Sequence, residues 1–274
     1  MELMKNLKFT VASSPLLIIA SQFSAKRALK SSIIALALLI GASSMSFAHQ
    51  PVFLSPESKD ASLSPVLVEG TISFAVTASF NRKAEKKHFR FALNPNERMR
   101  LEYLILDRAP ENRLSNKRLP IVTVTSPSGK VSRLKISERT TFYEPYGGQN
   151  YFFLARTDQI GEPGVYTVEV SARAKSTAIL AVGTREIRGE VLNIGSSRGT
   201  CPKRIESESE ISTERGSQLI GISERAGEIC ASLNNWIFRT IQRDGKDLPA
   251  TKDYRTNRVN AFVKNGQITE ITIG

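Results

Sequence analysis

A short polar segment near the end of the sequence, residues 249–257, carries charged side chains in a pattern that could present one of them to a partner. Lys252 stands at its centre, between Thr251 and Asp253. Arg258 follows at the start of a β-rich run, so its guanidinium could reach back to Asp253 or Thr251 with charge-assisted hydrogen bonds. The pattern predicts an exposed loop that is tethered to a small sheet and held by arginine.

The elements around this loop predict a small α+β domain over residues 217–274. Residues 223–233 predict a helix with Ser223 as its N-cap. Apolar residues recur along one face of this helix, at Ala226, Ile229, Cys230 and Leu233. Three strands follow the helix, at residues 236–241, 258–263 and 267–273. Asn265 and Gly266 form a strong hairpin-turn signal between the last two strands.

This order of elements, with the residues of the loop, resembles the potato type I serine protease inhibitors. It resembles their bacterial elastase-inhibitor-like relatives more closely. The resemblance covers residues 213–274 and rests on three short stretches: residues 219–221, 251–260 and 266–274. The specific part of it is the block formed by Asp253, Tyr254, Arg255, Arg258 and Asn260.

The resemblance implies a function and a role for each loop residue. Lys252 stands at P1, the residue that enters the S1 pocket of a protease, with Thr251 at P2 and Asp253 at P1′. A lysine at P1 suits an S1 pocket with an aspartate at its base, so the implied partner is a trypsin-like serine protease. Ala250 and Tyr254 complete the implied reactive-site loop.

The resemblance also implies how the loop is supported. In the family, side chains from the strand behind the loop hydrogen-bond to the residues that flank the scissile bond. Arg258 matches that role, and Arg255 and Asn260 complete the implied support. Asn260 stands where plant members often carry a second arginine and bacterial members carry asparagine. Ile273 stands where bacterial relatives often carry a cysteine, so their usual disulfide cannot form here.

The beginning of the chain, residues 1–48, predicts a secretory signal. A positively charged stretch, residues 25–30, precedes a short apolar run, residues 33–40. Ser46 and Ala48 are small residues at the −3 and −1 positions of a cleavage site. The apolar run is too short to span a bilayer comfortably, and an uncleaved N-terminal anchor is the alternative. We expect the protein to be periplasmic or secreted.

The middle of the chain, residues 49–191, predicts an antiparallel β-sandwich. Eight β-rich runs recur, at residues 70–78, 88–93, 99–106, 121–125, 131–136, 151–155, 165–172 and 178–183. Turns rich in glycine and proline separate them. The pattern generically resembles bacterial immunoglobulin-like and pre-peptidase C-terminal-type domains, which implies a fold and no activity. Small polar and acidic residues over 192–216 predict a linker.

The chain of 274 residues has two cysteines, Cys201 and Cys230. In an oxidising compartment such a pair predicts a disulfide, and no ligand spacing supports a metal site built on the two thiols. In the chain-entropy model, closing a loop of about 30 residues corresponds to roughly 3.5 kcal/mol of stability.

The charge balance is basic. The formal net charge is +12, and residues 49–274 contain 33 basic and 25 acidic residues, a net charge of +8. This excess favours acidic partners. The basic residues do not cluster along the sequence as in a nucleic-acid-binding motif, so we expect no nucleic-acid partner.

Two further stretches contain side chains that could bind a ligand. Cleavage after Ala48 would leave His49 at the N-terminus, where with His88 it could bind copper as in histidine-brace proteins. The alternative is that both are surface histidines. The aromatic-rich residues 142–153 predict a strand, a turn and a strand that bury their rings, with a sugar- or peptide-binding groove as the alternative.

No catalytic motif is present: there is no nucleophile elbow, no phosphate-binding loop and no paired-histidine zinc helix. We therefore expect neither an enzyme nor a cofactor. The leading hypothesis is an exported serine protease inhibitor that acts through Lys252. The alternative is a structural or adhesive β-sandwich protein of the cell envelope with a non-inhibitory tail domain. In both cases the β-sandwich could bind an envelope partner.

Overall fold

The computed structural model describes residues 49–274, and the predicted signal, residues 1–48, lies outside the described residues. The described part is mainly β, as the sequence predicts, and belongs to one compact unit. Within this part, no helix is both long and apolar enough to cross a membrane.

Six strands form the first sheet of a β-sandwich: β1 (Gln50–Phe53), β3 (Phe74–Phe80), β5 (Arg98–Leu106), β8 (Thr140–Glu144), β9 (Gln149–Ile160) and β11 (Ser176–Val182). Their order across the sheet is β1-β3-β11-β5-β9-β8. All neighbouring strands are antiparallel except β1 and β3, which pair in parallel.

Six more strands form the second sheet: β2 (Val66–Leu67), β4 (Lys86–Leu93), β6 (Ile121–Thr125), β7 (Val131–Leu134), β10 (Gly164–Ser171) and β12 (Val191–Leu192). Their order is β12-β2-β4-β10-β6-β7. Here too the pairing is antiparallel apart from one short strand, since β2 runs parallel to β4.

The core of the sandwich follows from the alternation of side chains along each strand. In β10, Tyr166, Val168 and Val170 are buried, whereas the residues between them are partly exposed. The ring of Tyr166 stacks on that of Phe91 from β4, with 4.9 Å between the ring centroids. The inward-facing residues of both sheets join in one apolar cluster, so neither sheet leaves its apolar face in water.

The C-terminal part has a third sheet of four strands: β15 (Ile237–Arg243), β16 (Lys246–Asp247), β17 (Arg258–Lys264) and β18 (Gln267–Ile273). Their order is β16-β15-β17-β18. β15 and β17 are parallel, whereas the two outer strands pair antiparallel with their neighbours. Two helices precede this sheet, α1 (Thr213–Ser217) and α2 (Glu224–Leu233).

Helix α2 begins and packs as the sequence predicts. The Ser223 side chain caps it by accepting a hydrogen bond from the Ala226 backbone N–H at 3.0 Å. Gly227 faces the sheet, where a Cβ atom would lie 2.5 Å from a methyl of Ile268 and 2.9 Å from the ring of Phe238. Because glycine has no side chain, the helix backbone can approach the sheet closely.

The segment over residues 192–216, whose composition predicts a linker, is ordered by packing. It contains the parallel pair β13 (Ile194–Gly195) and β14 (Cys201–Pro202). Cys201 forms the predicted disulfide with Cys230 of α2, and both cysteines are fully buried. Ile211 is buried as well, and its backbone N–H donates to the Thr256 carbonyl at 2.9 Å.

The β-sandwich and the C-terminal part share an apolar cluster. Val66, Ala92 and Leu192 of the second sheet, with Val68 directly after β2, pack in the same cluster as the buried face of α2. The structure therefore joins the two predicted domains by direct packing, in addition to the connecting chain.

The prediction that the aromatic residues of 142–153 are buried is wrong for part of this stretch. Phe142, Tyr143 and Tyr146 are exposed, with 36%, 59% and 60% of their surface accessible. The reason is topological: β8 is the edge strand of the first sheet, and its hairpin with β9 extends to the border of the sandwich.

Candidate functional site

The polar loop between β16 and β17 is anchored at both of its ends by backbone hydrogen bonds to β15. On the entry side the Leu248 N–H donates to the Ile241 carbonyl at 2.8 Å. On the exit side the Asn257 carbonyl accepts from the Ile237 N–H at 2.9 Å. Between these points residues 249–255 are all exposed and form no helix, strand or turn. Their position must therefore be set by side-chain contacts.

Arg258 makes several of these contacts from beneath the loop. It is the first residue of β17, and only 4% of its surface is exposed. Its Nη1 donates to Asp253 Oδ2 at 3.0 Å and its Nη2 donates to the Asp253 carbonyl. Its Nε donates to the Gly274 carbonyl at 2.7 Å. One buried guanidinium thus joins the loop to the last residue of the sequence, and its contact with Asp253 is the one that the sequence predicts.

The Asp253 carboxylate accepts hydrogen bonds from three side chains. The Thr251 hydroxyl donates to Oδ1, and Arg255 Nε donates to Oδ2 at 2.8 Å, beside the bond from Arg258. The Thr251 hydrogen bond and the two arginines hold the pKa of Asp253 well below its usual value of 3.8, because all of them favour the charged form. The carboxylate is therefore charged at neutral pH and ties the two flanks of Lys252 together.

A second arginine supports the loop from the neighbouring strand. Arg239 of β15 donates through Nη1 to the carbonyl and the hydroxyl of Thr251, at 3.2 Å each. Its Nη1 also lies 4.0 Å from Asp253 Oδ1. The contact of Arg239 with the loop is not predicted from the sequence. Arg239 and Asn260 are direct partners in the parallel pairing of β15 and β17, and Arg239 Nε donates to Asn260 Oδ1 at 2.9 Å.

Asn260 links this second arginine to the end of the sheet. It is 6% exposed, and its Nδ2 donates to the Gly274 carbonyl at 2.7 Å. Gly274 has a φ of 149°, and a Cβ atom there would lie 2.9 Å from the ring of Tyr254. The Tyr254 ring thus packs against a position that only glycine can occupy without a shift.

Lys252 itself stays outside this network. It is exposed, and among the described residues it has neither a hydrogen bond nor an ion pair. Its neighbours on both sides are held, Thr251 by Arg239 and Asp253 by Arg258. The Lys252 side chain is therefore exposed, while hydrogen bonds hold the backbone carbonyls of the residues immediately before and after it.

The sequence was compared with protein-family models and with curated proteins. Neither comparison finds a match. A function for the loop therefore has to be inferred from its geometry and from the resemblance of its residues.

The two histidines of the copper hypothesis lie near opposite ends of the sandwich. His49 Nδ1 contacts the Ser73 hydroxyl, next to the start of β3. His88 on β4 is buried, with Nδ1 at 3.0 Å from the Ser58 carbonyl and Nε2 at 3.2 Å from Glu169. Within residues 49–274, no cluster of three or more histidine, cysteine or acidic side chains could hold a metal ion.

Proposed function

We propose that the protein is a serine protease inhibitor that acts through a substrate-like loop, with Lys252 at P1 and Asp253 at P1′. The observation that carries this proposal is the pair of guanidinium groups, Arg239 and Arg258, that hold Thr251 and Asp253 on either side of the exposed Lys252. Such a loop offers its lysine to a protease pocket while the adjoining backbone stays in place.

Two physical consequences of this support favour inhibition over simple cleavage. A loop that is already ordered loses little conformational entropy on binding, so its contacts with a protease convert efficiently into affinity. If the bond after Lys252 is cut, the new ends remain attached to the sheet, one through Arg239 and the other through Arg258. The cut ends then stay adjacent, which slows product release and favours religation.

The identity of the P1 residue sets the expected target. A lysine side chain suits an S1 pocket that has an aspartate at its base, as in trypsin-like proteases. The buried Cys201–Cys230 disulfide is typical of proteins in oxidising compartments, which supports a periplasmic or secreted place of action.

The test is titration of residues 49–274 against trypsin-like, chymotrypsin-like and elastase-like proteases. We expect the tightest inhibition with the trypsin-like enzyme. Lys252→Leu should raise its inhibition constant by roughly thirtyfold or more, the cost of losing a hot-spot residue, and should move the preference toward the other two enzymes. The matched control Lys264→Leu, at an exposed lysine next to the hairpin turn, should leave every inhibition constant unchanged.

Two results would overturn the proposal. The first is the absence of inhibition of all three enzymes at micromolar concentration, which would favour the structural or adhesive alternative. The second is the same inhibition profile for Lys252→Leu and Lys264→Leu, because Lys252 would then not occupy the S1 pocket.

A further inference from the structure

Three loops that are distant in sequence meet at one end of the β-sandwich. They are residues 81–87, 107–120 and 172–175, and together we call them the basic end. The Ala84 N–H donates to the Ala172 carbonyl at 2.9 Å, which joins the first loop to the third. Arg173 Nη1 donates to the Lys117 carbonyl at 2.9 Å, which joins the third to the second.

The basic end holds almost all of the net charge of the described chain. Its 25 residues include ten that are basic and three that are acidic, a net charge of +7, against +8 for the whole of residues 49–274. The remainder of the described chain is therefore almost neutral. This asymmetry exists only in the folded protein, because the three loops are separate in the sequence.

Few of these charges are neutralised locally. Arg82 pairs with Glu85 and Lys86 pairs with Glu169. Glu111 is buried and accepts a hydrogen bond from the Thr177 N–H at 2.7 Å. Lys87 is partly buried, and its Nζ donates to the Leu54 carbonyl. Within residues 49–274, seven other basic side chains of this end are exposed and outside any ion pair: Lys83, Arg108, Arg113, Lys117, Arg118, Arg173 and Lys175.

Exposed aromatic side chains lie beside the basic end. The β8–β9 hairpin lies at the same border of the sandwich. The Asp107 N–H, in the second loop of the basic end, donates to the Asn150 carbonyl of this hairpin at 2.8 Å. Tyr143 and Tyr146 on this hairpin are more than half exposed. Tyrosine rings favour the boundary between water and lipid, where their apolar body and polar hydroxyl are both satisfied.

We propose that the basic end binds the surface of a membrane rich in anionic phospholipids, with the basic residues on the phosphate groups and the two tyrosines at the headgroup level. Several exposed cations on one end match a surface with a high density of negative charge, and each one near such a surface strengthens binding by roughly fivefold at low ionic strength. The aromatic residues distinguish a lipid surface from a soluble polyanion.

The position of the basic end suits this role. The C-terminal part packs on the second sheet near Ala92 and Val165, toward the other ends of β4 and β10. From Lys86 to Ala92 the strand spans about 20 Å. The basic end is thus separate from the part that carries Lys252, and this proposal does not depend on protease inhibition.

The test uses the compact unit, residues 49–274, because the apolar run of residues 33–40 would itself bind lipid. Co-sedimentation is measured with vesicles of phosphatidylcholine alone and of phosphatidylcholine mixed with phosphatidylglycerol. We expect binding to the mixed vesicles, little binding to phosphatidylcholine, and release by salt. The combined variant Arg113→Gln, Lys117→Gln, Arg118→Gln and Lys175→Gln should bind the mixed vesicles roughly tenfold or more weakly.

The matched control carries the same change of net charge at exposed residues elsewhere, Lys130→Gln, Arg198→Gln, Lys246→Gln and Lys264→Gln. It should keep most of the binding, and both variants should keep the circular dichroism spectrum of the parent protein. Equal weakening in the two variants would overturn the proposal, because net charge alone would then explain binding. So would tight binding to polyphosphate or an oligonucleotide without any binding to the mixed vesicles.

Discussion

At the scale of single residues, Asp253 is the centre of the candidate site. Its carboxylate accepts from Thr251, Arg255 and Arg258, and its carbonyl accepts from Arg258 as well. The bonds to the carboxylate favour the charged form of this group, whereas the bond to the backbone carbonyl does not depend on it. The order of the loop is therefore coupled to the protonation of one side chain, which makes it dependent on pH in the acidic range.

The sign of this dependence follows from the lowered pKa of Asp253. The contribution of the carboxylate to loop stability is fully present above the unfolded value of 3.8 and is lost as the pH falls through the lower folded value. Carbon-detected NMR of the Asp253 carboxyl group should show titration well below 3.8. Thr251→Val should raise this pKa, whereas Thr269→Val, on β18, should not. Titration of the parent protein near 3.8 would contradict the network.

At the scale of elements, the pairing of β15 with β17 builds the support for the loop. Strand β17 provides Arg258 and Asn260, and the parallel strand beside it provides Arg239. Asn260 holds the side chain of Arg239, so the second arginine of the support comes from the neighbouring strand and not from β17 itself. The guanidinium thus reaches the Thr251 side of the loop from a different element.

Strand β15 carries two arginines, of which one contacts the loop and the other can serve as a control. Arg239 contacts the loop, whereas Arg243 on the same strand pairs with Glu224 of α2 at 2.6 Å. Arg239→Met should weaken inhibition of a trypsin-like protease by roughly tenfold, since a charge-assisted hydrogen bond contributes about 1.5–3 kcal/mol. It should also speed cleavage after Lys252.

The control Arg243→Met should leave inhibition and cleavage unchanged while it lowers the thermal stability slightly. Inhibition constants and mass spectrometry of the cleaved chain measure the two effects. If both variants lose inhibition to the same extent, Arg239 acts on general stability and has no special role in positioning the loop.

At the scale of the whole molecule, the shared apolar cluster couples the sandwich to the part that carries the loop. Val66 and Leu192 lie on strands β2 and β12 of the sandwich, and Val68 directly follows β2. All three are at most 3% exposed. Separation of the two parts would bring this apolar surface into water, so the C-terminal part depends on the sandwich for some of its stability.

Trp236 is the one tryptophan of the chain and lies buried in this shared cluster. We expect its fluorescence and the far-ultraviolet circular dichroism of residues 49–274 to change at the same urea concentration. A fragment of residues 200–274 should unfold at a lower concentration, because it lacks the contacts with Val66, Val68 and Leu192. Two separate transitions in the longer protein, or equal midpoints for Trp236 in both proteins, would contradict the coupling.

The features that arise from local chemistry are predictable from the amino-acid sequence. All eight β-rich runs of residues 49–191 overlap strands of the sandwich, because alternation and turn residues act over a few positions. Ser223 caps its helix, and Asn265 and Gly266 turn the last hairpin with φ of 51° and 75°. The contact of Arg258 with Asp253 follows from their nearness in the chain. Lys252 is exposed because it lies in a polar segment between two strands.

The contacts between distant segments depend on long-range packing and strand pairing. The short strands β1 and β2 carry too few residues to show a periodic pattern, and they form by pairing with longer strands. The contact of Arg239 with Thr251 depends on the register between two parallel strands, which sequence periodicity does not specify. The basic end likewise exists because strand pairing brings three separate loops to one border of the sandwich.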